Sequence, residues 1–576
     1  MNRRLLLALP LVALVALVVW VFLPTLDHRW APLDDELNFV SNPHYRGLSF
    51  DHLRWMATAR HAGHYIPLSW LTLAVDYELS GMDPRGYHRT NLLLHLANAL
   101  LFGAFAWRLF GVRSRTAGEG ALPDGPRALA AFATAAMFAV HPLRVESVAW
   151  ITERRDLLCG LFVLLVLHAY LRAAEATGRR RALALSGAWI AFAAALLSKG
   201  IALALPVALL ALDLGPLARL EPHPRRWLER PARGVLLEKL PFLVLSALSA
   251  GVTFWAAAPA LADRTQASLE HRFLSAGYSL SFYLEKTLFP FAIPFQVPAI
   301  HPFSAAQDGV VVLRGLGFLV VFALALALWR RRPAVPLALA VFTAFVLPVS
   351  GLFQAGPQLV AHRYTYLAAL PLALLAGAGL HGVARRQGRR GLAVLVLLTL
   401  GLSVALATSA RSFVALWHDD VTFCRAAVSA APDAWAPRGA LARAYLARGE
   451  EGAALDTLRA GRERLPDALL LTYLEAVVLA TSPNDALRDG DLALQLAVRV
   501  ARRTRDQDPA ALFAVAAAKA ETGDLAGARR LLDGALLLCR AGRKPEFLPV
   551  LEAASRQLAA RGLVRLSTDD WRNTPL

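Results

Sequence analysis

Cysteine, lysine and charge are all scarce in this chain. Three cysteines in 576 residues (Cys159, Cys424, Cys539) cannot build a disulfide framework, and their spacing matches no zinc site, so they read as small apolar residues. Only 18% of residues are charged, against roughly 25% in an average soluble domain. Hydrophobic residues reach 56% and the mean hydropathy is +0.44. That balance excludes a secreted or purely cytosolic enzyme. Long charge-free apolar runs recur from Leu5 to about Ala410 and then stop. The expected organisation is a polytopic membrane domain over 1–410 and a soluble domain over 411–576.

The net charge of +18 invites a nucleic-acid reading, and its distribution refutes it. From Arg411 onward there are 23 basic and 21 acidic residues, so the excess lies in the membrane part. A membrane helix needs about 20 mostly apolar residues, and short basic loops stay cytoplasmic. The first run, about 5–26, follows Arg3 and Arg4 and lacks a small-residue cleavage site, so it reads as an uncleaved anchor with its N-terminus cytoplasmic. Ten further spans are expected near 90–107, 129–142, 157–171, 182–198, 200–217, 240–258, 311–329, 334–351, 364–381 and 391–410. With these 11 crossings, 23 of the 38 basic residues of the membrane part fall on the cytoplasmic side, against six acids. The segment 273–297 is interrupted by Glu285, Lys286, Pro290 and Pro294 and reads as a re-entrant or interfacial helix on the outer face. The odd span count puts the tail in a periplasm or lumen. The 56 arginines against five lysines point to a GC-rich bacterial genome, hence to an inner membrane.

The tail reads as a helical repeat. Leu441, Ala442, Tyr445, Gly449, Ala454, Leu458 and Pro466 fall at tetratricopeptide (TPR) positions within 435–468, and Ala516, Gly523, Ala528, Leu532 and Ala535 do so within 509–542. The stretch between them, widened at 482–490, reads as a third repeat, about the minimum for a stable solenoid.

Polar groups beside a membrane are costly, so the outer loops that hold them are the candidate site. The loop after the first span contains Asp34, Asp35 and Glu36, followed by Trp55, Tyr65, Trp70, Tyr77 and Tyr87, aromatics suited to an interface or to stacking on sugar. It ends in His88, Arg89 and Asn91, with His95 and Asn98 continuing a polar stripe into the bilayer. The stretch 141–156 carries His141, Arg144, Glu146, Glu153, Arg154, Arg155 and Asp156, and its three arginines defy the positive-inside trend. They need either the neighbouring acids or a phosphate gripped bidentately. Lys199 stands alone between two short spans, and His362 and Arg363 open the tenth. Acids in one loop and cations in three others is the division of labour of a general base beside a phosphate clamp.

Six blocks in order carry a resemblance: Asp34-Asp35, the run from Tyr87 to Asn98, residues 141–156, Leu197–Pro206, Tyr283–Pro290 and 361–367, with the repeats behind them. Together they resemble the TMTC (transmembrane and tetratricopeptide-repeat) family of protein O-mannosyltransferases and their bacterial relatives, members of the GT-C glycosyltransferases. Arg144 stands where that family often has His, Gly200-Ile201 replaces a more usual Pro-Met or Glu-Ile, and Tyr65-Ile66 replaces Trp-His. These departures bear on donor and acceptor preference. The resemblance implies an all-α GT-C membrane domain and inverting transfer of a sugar, mannose by analogy, from a polyprenyl-phosphate donor to a protein hydroxyl. It carries the base to Asp34 or Asp35, with Glu36 a weaker candidate, and the donor phosphate to Arg144, Arg154, Arg155, Lys199 and Arg363, with His141 and His362 as hydrogen-bond donors. His88, Arg89, Asn91, His95 and Glu146 are the expected contacts of acceptor or sugar. No cofactor is implied beyond the donor lipid; the acidic triplet leaves a divalent ion open, and no metal site is assigned. Partners are the lipid-linked donor, a protein or peptide acceptor met through the repeats, and the bilayer, with no nucleic acid. The competing expectation is a non-catalytic scaffold whose repeats gather cell-envelope proteins.

Overall fold

A computed structural model describes residues 3–116, 124–227, 229, 231–262, 268–290, 305–353 and 358–573. It is 80% helical, and among the described residues there is no β-strand, so the all-α expectation holds. The chain divides into two compact units, Met1–Asp419 and Asp420–Leu576.

The first unit begins with α1 (Arg3–Phe22), α2 (Phe50–Thr58), α3 (Pro67–Ser80), α4 (Pro84–Thr116) and α5 (Asp124–Ala139). A short α6 (Val145–Ala149) leads to α7 (Arg154–Glu175), α8 (Gly178–Ser198), α9 (Leu205–Leu214), α10 (Ala232–Leu237) and α11 (Leu240–Ala262). Then come α12 (Leu269–Leu288), α13 (Ala305–Ala327), α14 (Ala334–Val346) and α15 (Thr365–Ala415). Proline opens α3 and α4, where its missing N–H would be unpaired in any case, and Gly81 at φ 59° ends α3 in the left-handed region. Helix α15 is broken at Gly388, φ 56°. A Cβ on Gly391 would lie 2.5 Å from the Val383 carbonyl, far closer than eight residues of straight helix allow, so the two halves fold back on each other.

Eight helical segments are long and apolar enough to cross a membrane: 8–27, 84–112, 151–175, 178–198, 232–258, 309–327, 362–388 and 390–415. The other three expected spans look different. The one expected over 129–142 bends by 56° between Asp124–Ala139 and Pro142–Ala149, while 200–214 and 334–349 are shorter apolar helices. Pro142, Pro206 and Pro348 explain these shortened or bent segments, since each removes a backbone donor at the start of a new turn. Of the segment 273–297, α12 covers its beginning with Glu285 and Lys286 in the last turn; 291–297 lie outside the described residues.

The second unit is a run of antiparallel helices: α16 (Asp420–Ala430), α17 (Trp435–Leu446), α18 (Glu451–Arg464), α19 (Leu469–Thr481), α20 (Gly490–Arg503), α21 (Pro509–Glu521), α22 (Leu525–Arg540), α23 (Leu548–Arg561) and α24 (Thr568–Asn573). Each of α16–α22 packs on the helix after it, and α17, α19 and α21 also pack in sequence. Asp489, Asp508 and Asp524 cap α20, α21 and α22 by accepting backbone N–H bonds at 2.9, 3.0 and 2.8 Å.

Candidate functional site

Breaking helices within an apolar bundle strands backbone carbonyls, and the polar stripe of α4 answers that need. His95 Nε2 meets the Ala139 carbonyl at 2.9 Å, at the end of α5, and its Nδ1 meets the Tyr366 hydroxyl at 2.9 Å. Asn91 donates to the carbonyls of Val148 and Trp150 at the break after α6, and Asn98 to Leu157 O at 2.8 Å. All three side chains are buried, so Asn91 and His95, expected to touch acceptor or sugar, instead tie broken helices together. Arg89 is exposed on the opposite side of that helix turn, and buried His88 packs edge-on against His28 at 5.8 Å.

Arg154 is fully buried and spent within the fold. Its guanidinium donates to Asp76 Oδ2 at 2.6 Å, to the Tyr87 carbonyl at 2.8 Å and to Asn91 Oδ1. Thr90 donates to the other Asp76 oxygen at 2.6 Å, which completes a lock between α3, α4 and α7. Arg144 is buried likewise: it holds the Thr365 carbonyl at 2.6 Å and the Thr365 hydroxyl, between the rings of Phe138 and Tyr366. His141 Nδ1 accepts from Leu143 N at 3.2 Å, so its Nε2–H donates to the Thr287 carbonyl at 3.2 Å. The structure therefore places Arg144, Arg154 and His141 as ties between elements and not at a ligand-facing surface. His362 is buried, its ring 6.4 Å from that of Phe413.

The remaining three cations converge. Glu153 is fully buried, with Arg155 bonding it through Nε at 3.2 Å and a terminal nitrogen at 2.6 Å, Lys199 Nζ at 2.9 Å and Arg363 Nε at 3.1 Å. Lys199 also donates to Asp156 at 2.6 Å, and Arg363 pairs with Glu146, which accepts the Arg363 backbone N–H at 3.1 Å. Arg363 lies over the rings of Trp150 and Tyr364, at 5.2 and 4.9 Å. The carboxylates of Glu153 and Asp156 are 0 and 2% exposed, whereas the side chains of Arg155, Lys199 and Arg363 keep 8, 13 and 12%. Acids thus form a floor and cations the edge nearer solvent. Three acids balance three cations, so an arriving anion would meet a set of aimed donors rather than a large surplus charge.

The first loop is pinned to this cluster. Asp35 is fully buried and accepts from Ala31 N at 2.8 Å, Thr152 N at 3.2 Å and Thr152 Oγ1 at 2.7 Å. Asn38 reinforces the joint through its Nδ2, 3.0 Å from Thr152 Oγ1. Burial outweighs these donors and pushes the Asp35 carboxyl up to about 7. Asp34 is exposed, and among the described residues its carboxylate has no partner. Glu36, also exposed, accepts from Ser41 Oγ at 2.9 Å. The acidic triplet therefore sends its members three ways, and among the described residues no three His, Cys, Asp or Glu side chains gather as a metal-ligand set. Loop aromatics form the core behind it: Phe39, Tyr45, Trp70 and Tyr87 are buried together with Ile151, and Trp30 and Trp55 pack on them.

Sequence reasoning missed Asp76 and His64. Asp76 gives no signal in a helix of mixed polarity, because its partner lies 78 residues away. His64 follows a turn described below.

The helices and the buried ionic cluster define an integral membrane protein with a polar site at the junction of its loops. No protein-family profile and no solved structure matches the chain. It is 37% identical over 127 residues to the protein O-mannosyl-transferase TMTC4 of Mus musculus, covering 22% of this chain and 17% of that protein. It is 33% identical over 127 residues to TMTC2 of Homo sapiens (22% of this chain, 13% of that protein), and 31% over 152 residues to TMTC1 of Homo sapiens (25% and 16%). The chain is TMTC-like: its curated relatives are protein O-mannosyl-transferases, over about 20% of its length. The matched stretches span less than a fifth of each of these relatives.

Proposed function

We propose that this chain is a membrane glycosyltransferase that moves a sugar from a polyprenyl-phosphate donor to a hydroxyl of a protein acceptor. The observation that carries the reading is the trio Arg155, Lys199 and Arg363 on a buried acid floor, with the Asp34–Asp35 loop clamped to the same turn at Thr152. The printed names of the relatives, protein O-mannosyl-transferases, favour mannose and a protein acceptor.

In this reading Asp34 is the general base and Asp35 the residue that fixes its loop. The Asp34 carboxylate takes the proton of the acceptor hydroxyl as that oxygen attacks the anomeric carbon from the face opposite the phosphate. The bond between anomeric carbon and phosphate oxygen breaks, its electron pair leaving on the polyprenyl phosphate, and the anomeric configuration inverts. Arg155, Lys199 and Arg363 stabilise the charge gathering on the leaving group, and Glu153, Glu146 and Asp156 hold them in place beforehand. General-base help accounts for about 10²–10⁴ in rate, and positioning and electrostatics for the rest. The site faces the periplasm of a bacterial inner membrane, with the N-terminus cytoplasmic. The helix pairs 435–464, 469–503 and 509–540 are TPR repeats on the same side that present the acceptor. The donor lipid is the only small molecule the reaction requires.

The test is transfer by the purified full-length chain, in nanodiscs, from radiolabelled polyprenyl-phosphate mannose to an extract of cell-envelope proteins. Label in protein, abolished by Asp34→Asn, is the expected result. An extract that binds the chain but acquires no label, whichever sugar the lipid carries, would replace the enzyme with the scaffold.

A further inference from the structure

His64 sits where two unusual features meet. It closes a tight turn, its N–H donating to the His61 carbonyl at 2.9 Å, and both central residues have positive φ, Ala62 at 49° and Gly63 at 76°. Glycine adopts that region freely, whereas for alanine it costs about 1–2 kcal/mol. Such strain persists only where surroundings over-determine it. Here the His61 ring is wedged edge-on against Trp70 and Trp55, at 5.4 and 5.9 Å, so the aromatic core of the loop anchors one end of the turn.

The other end carries His64 to the ionic cluster. The charges of Arg155, Glu153, Lys199 and Arg363 all act on its ring, and among the described residues its side chain makes no hydrogen bond. The ring keeps open contact with solvent, yet protein encloses it closely enough that burial is the first cause of a pKa depressed to about 3, followed by repulsion from Arg155. A residue both accessible and enclosed lines the wall of a cleft. In the empty cleft His64 is therefore neutral, with one nitrogen donating and one accepting.

We propose that His64 is a ligand of the donor phosphate, its imidazole N–H bonding a phosphate oxygen held on the other side by Arg155, Lys199 and Arg363. This rests on the glycosyltransferase reading. Three cations already crowd the cleft, and an imidazole adds a donor without adding a fourth charge. Once an anion enters, it offsets the repulsion from the cations and strengthens the N–H as a donor. The strained turn is what holds the ring there, since the fold itself offers His64 no partner.

Polyprenyl phosphate, the leaving group common to any sugar, is the probe. Its dissociation constant is measured at pH 8 on the full chain in nanodiscs, for wild type, His64→Ala and His64→Gln, with thermal unfolding alongside. His64→Ala should weaken binding about 10- to 100-fold, the range of one hydrogen bond to a charged group, at an unchanged unfolding temperature. His64→Gln, which keeps an N–H donor, should recover most of the loss. Alanine binding within twofold of wild type, or glutamine as weak as alanine, overturns the role of His64 while leaving the enzyme reading intact. No binding by wild type overturns both.

Discussion

Arg154 and Arg155 are neighbours in sequence and members of two ionic groups built on different plans. Arg154 is 0% exposed and meets Asp76, Asn91 and a backbone carbonyl, all fixed on helices α3 and α4. Arg155 keeps 8% of its side chain open and shares one acid, Glu153, with Lys199 and Arg363. In the first group the protein supplies acceptors on several sides of one guanidinium, which leaves no opening for a ligand. In the second, three cations share a few carboxylates that lie on one side of them, and their other side faces the cleft. Burial alone does not distinguish structural from ligand-binding charge; what does is whether the acceptors surround the cation or merely support it.

That contrast can be broken by mutation. The largest effect should come from Arg154→Met, which leaves Asp76 buried without its cation. Removing one partner of a buried pair costs about 3–5 kcal/mol, so thermal unfolding should drop sharply, and polyprenyl-phosphate binding should fall only as far as the folded fraction does. A variant with wild-type stability and lost binding would move Arg154 into the site. Lys199→Gln should act the other way round. Arg155 and Arg363 still cover Glu153, so stability should fall modestly, while donor KM rises about tenfold, the scale of one charge-assisted bond. An unchanged KM would show that Lys199 merely neutralises Asp156.

The smallest expected effect sharpens the joint between loop and cluster. The folded pKa of Asp35, about 7, lies above its ordinary 3.8. Between those values the folded state holds a proton that the unfolded chain releases, so this stabilisation is complete below about pH 4 and declines as pH rises to 7. The difference in unfolding temperature between wild type and Asp35→Asn should therefore shift against wild type over that interval and level off above it. A flat difference would place the Asp35 carboxylate in a more polar setting than this one.

Much of the scaffold was legible because membrane helices advertise themselves by uniform apolarity. Eight of the expected spans are long apolar helices, and the three that differ are those in which proline starts a new turn. The stripe Asn91–His95–Asn98 was equally visible, but its meaning depended on breaks at 140–141 and 149–150 that hydropathy does not record. Of the expected phosphate ligands, Arg155, Lys199 and Arg363 gather around one carboxylate, whereas Arg144, Arg154 and His141 do not join them. No local pattern could separate these sets, since Asp76 and Thr365 lie 78 and 221 residues from the arginines they occupy. Asp34, Asp35 and Glu36 were indistinguishable as letters; only the Thr152 contact sorts the buried acid from its exposed neighbours.

The most direct test compares Asp34→Asn with Asp35→Asn in sugar transfer and thermal unfolding together. Asp34→Asn should lower kcat by about 10²–10⁴ while unfolding at the wild-type temperature, and Asp35→Asn should change stability while retaining measurable turnover. Loss of turnover in Asp35→Asn with Asp34→Asn fully active would contradict the assignment of the base, and with it the account of how this loop serves the cluster.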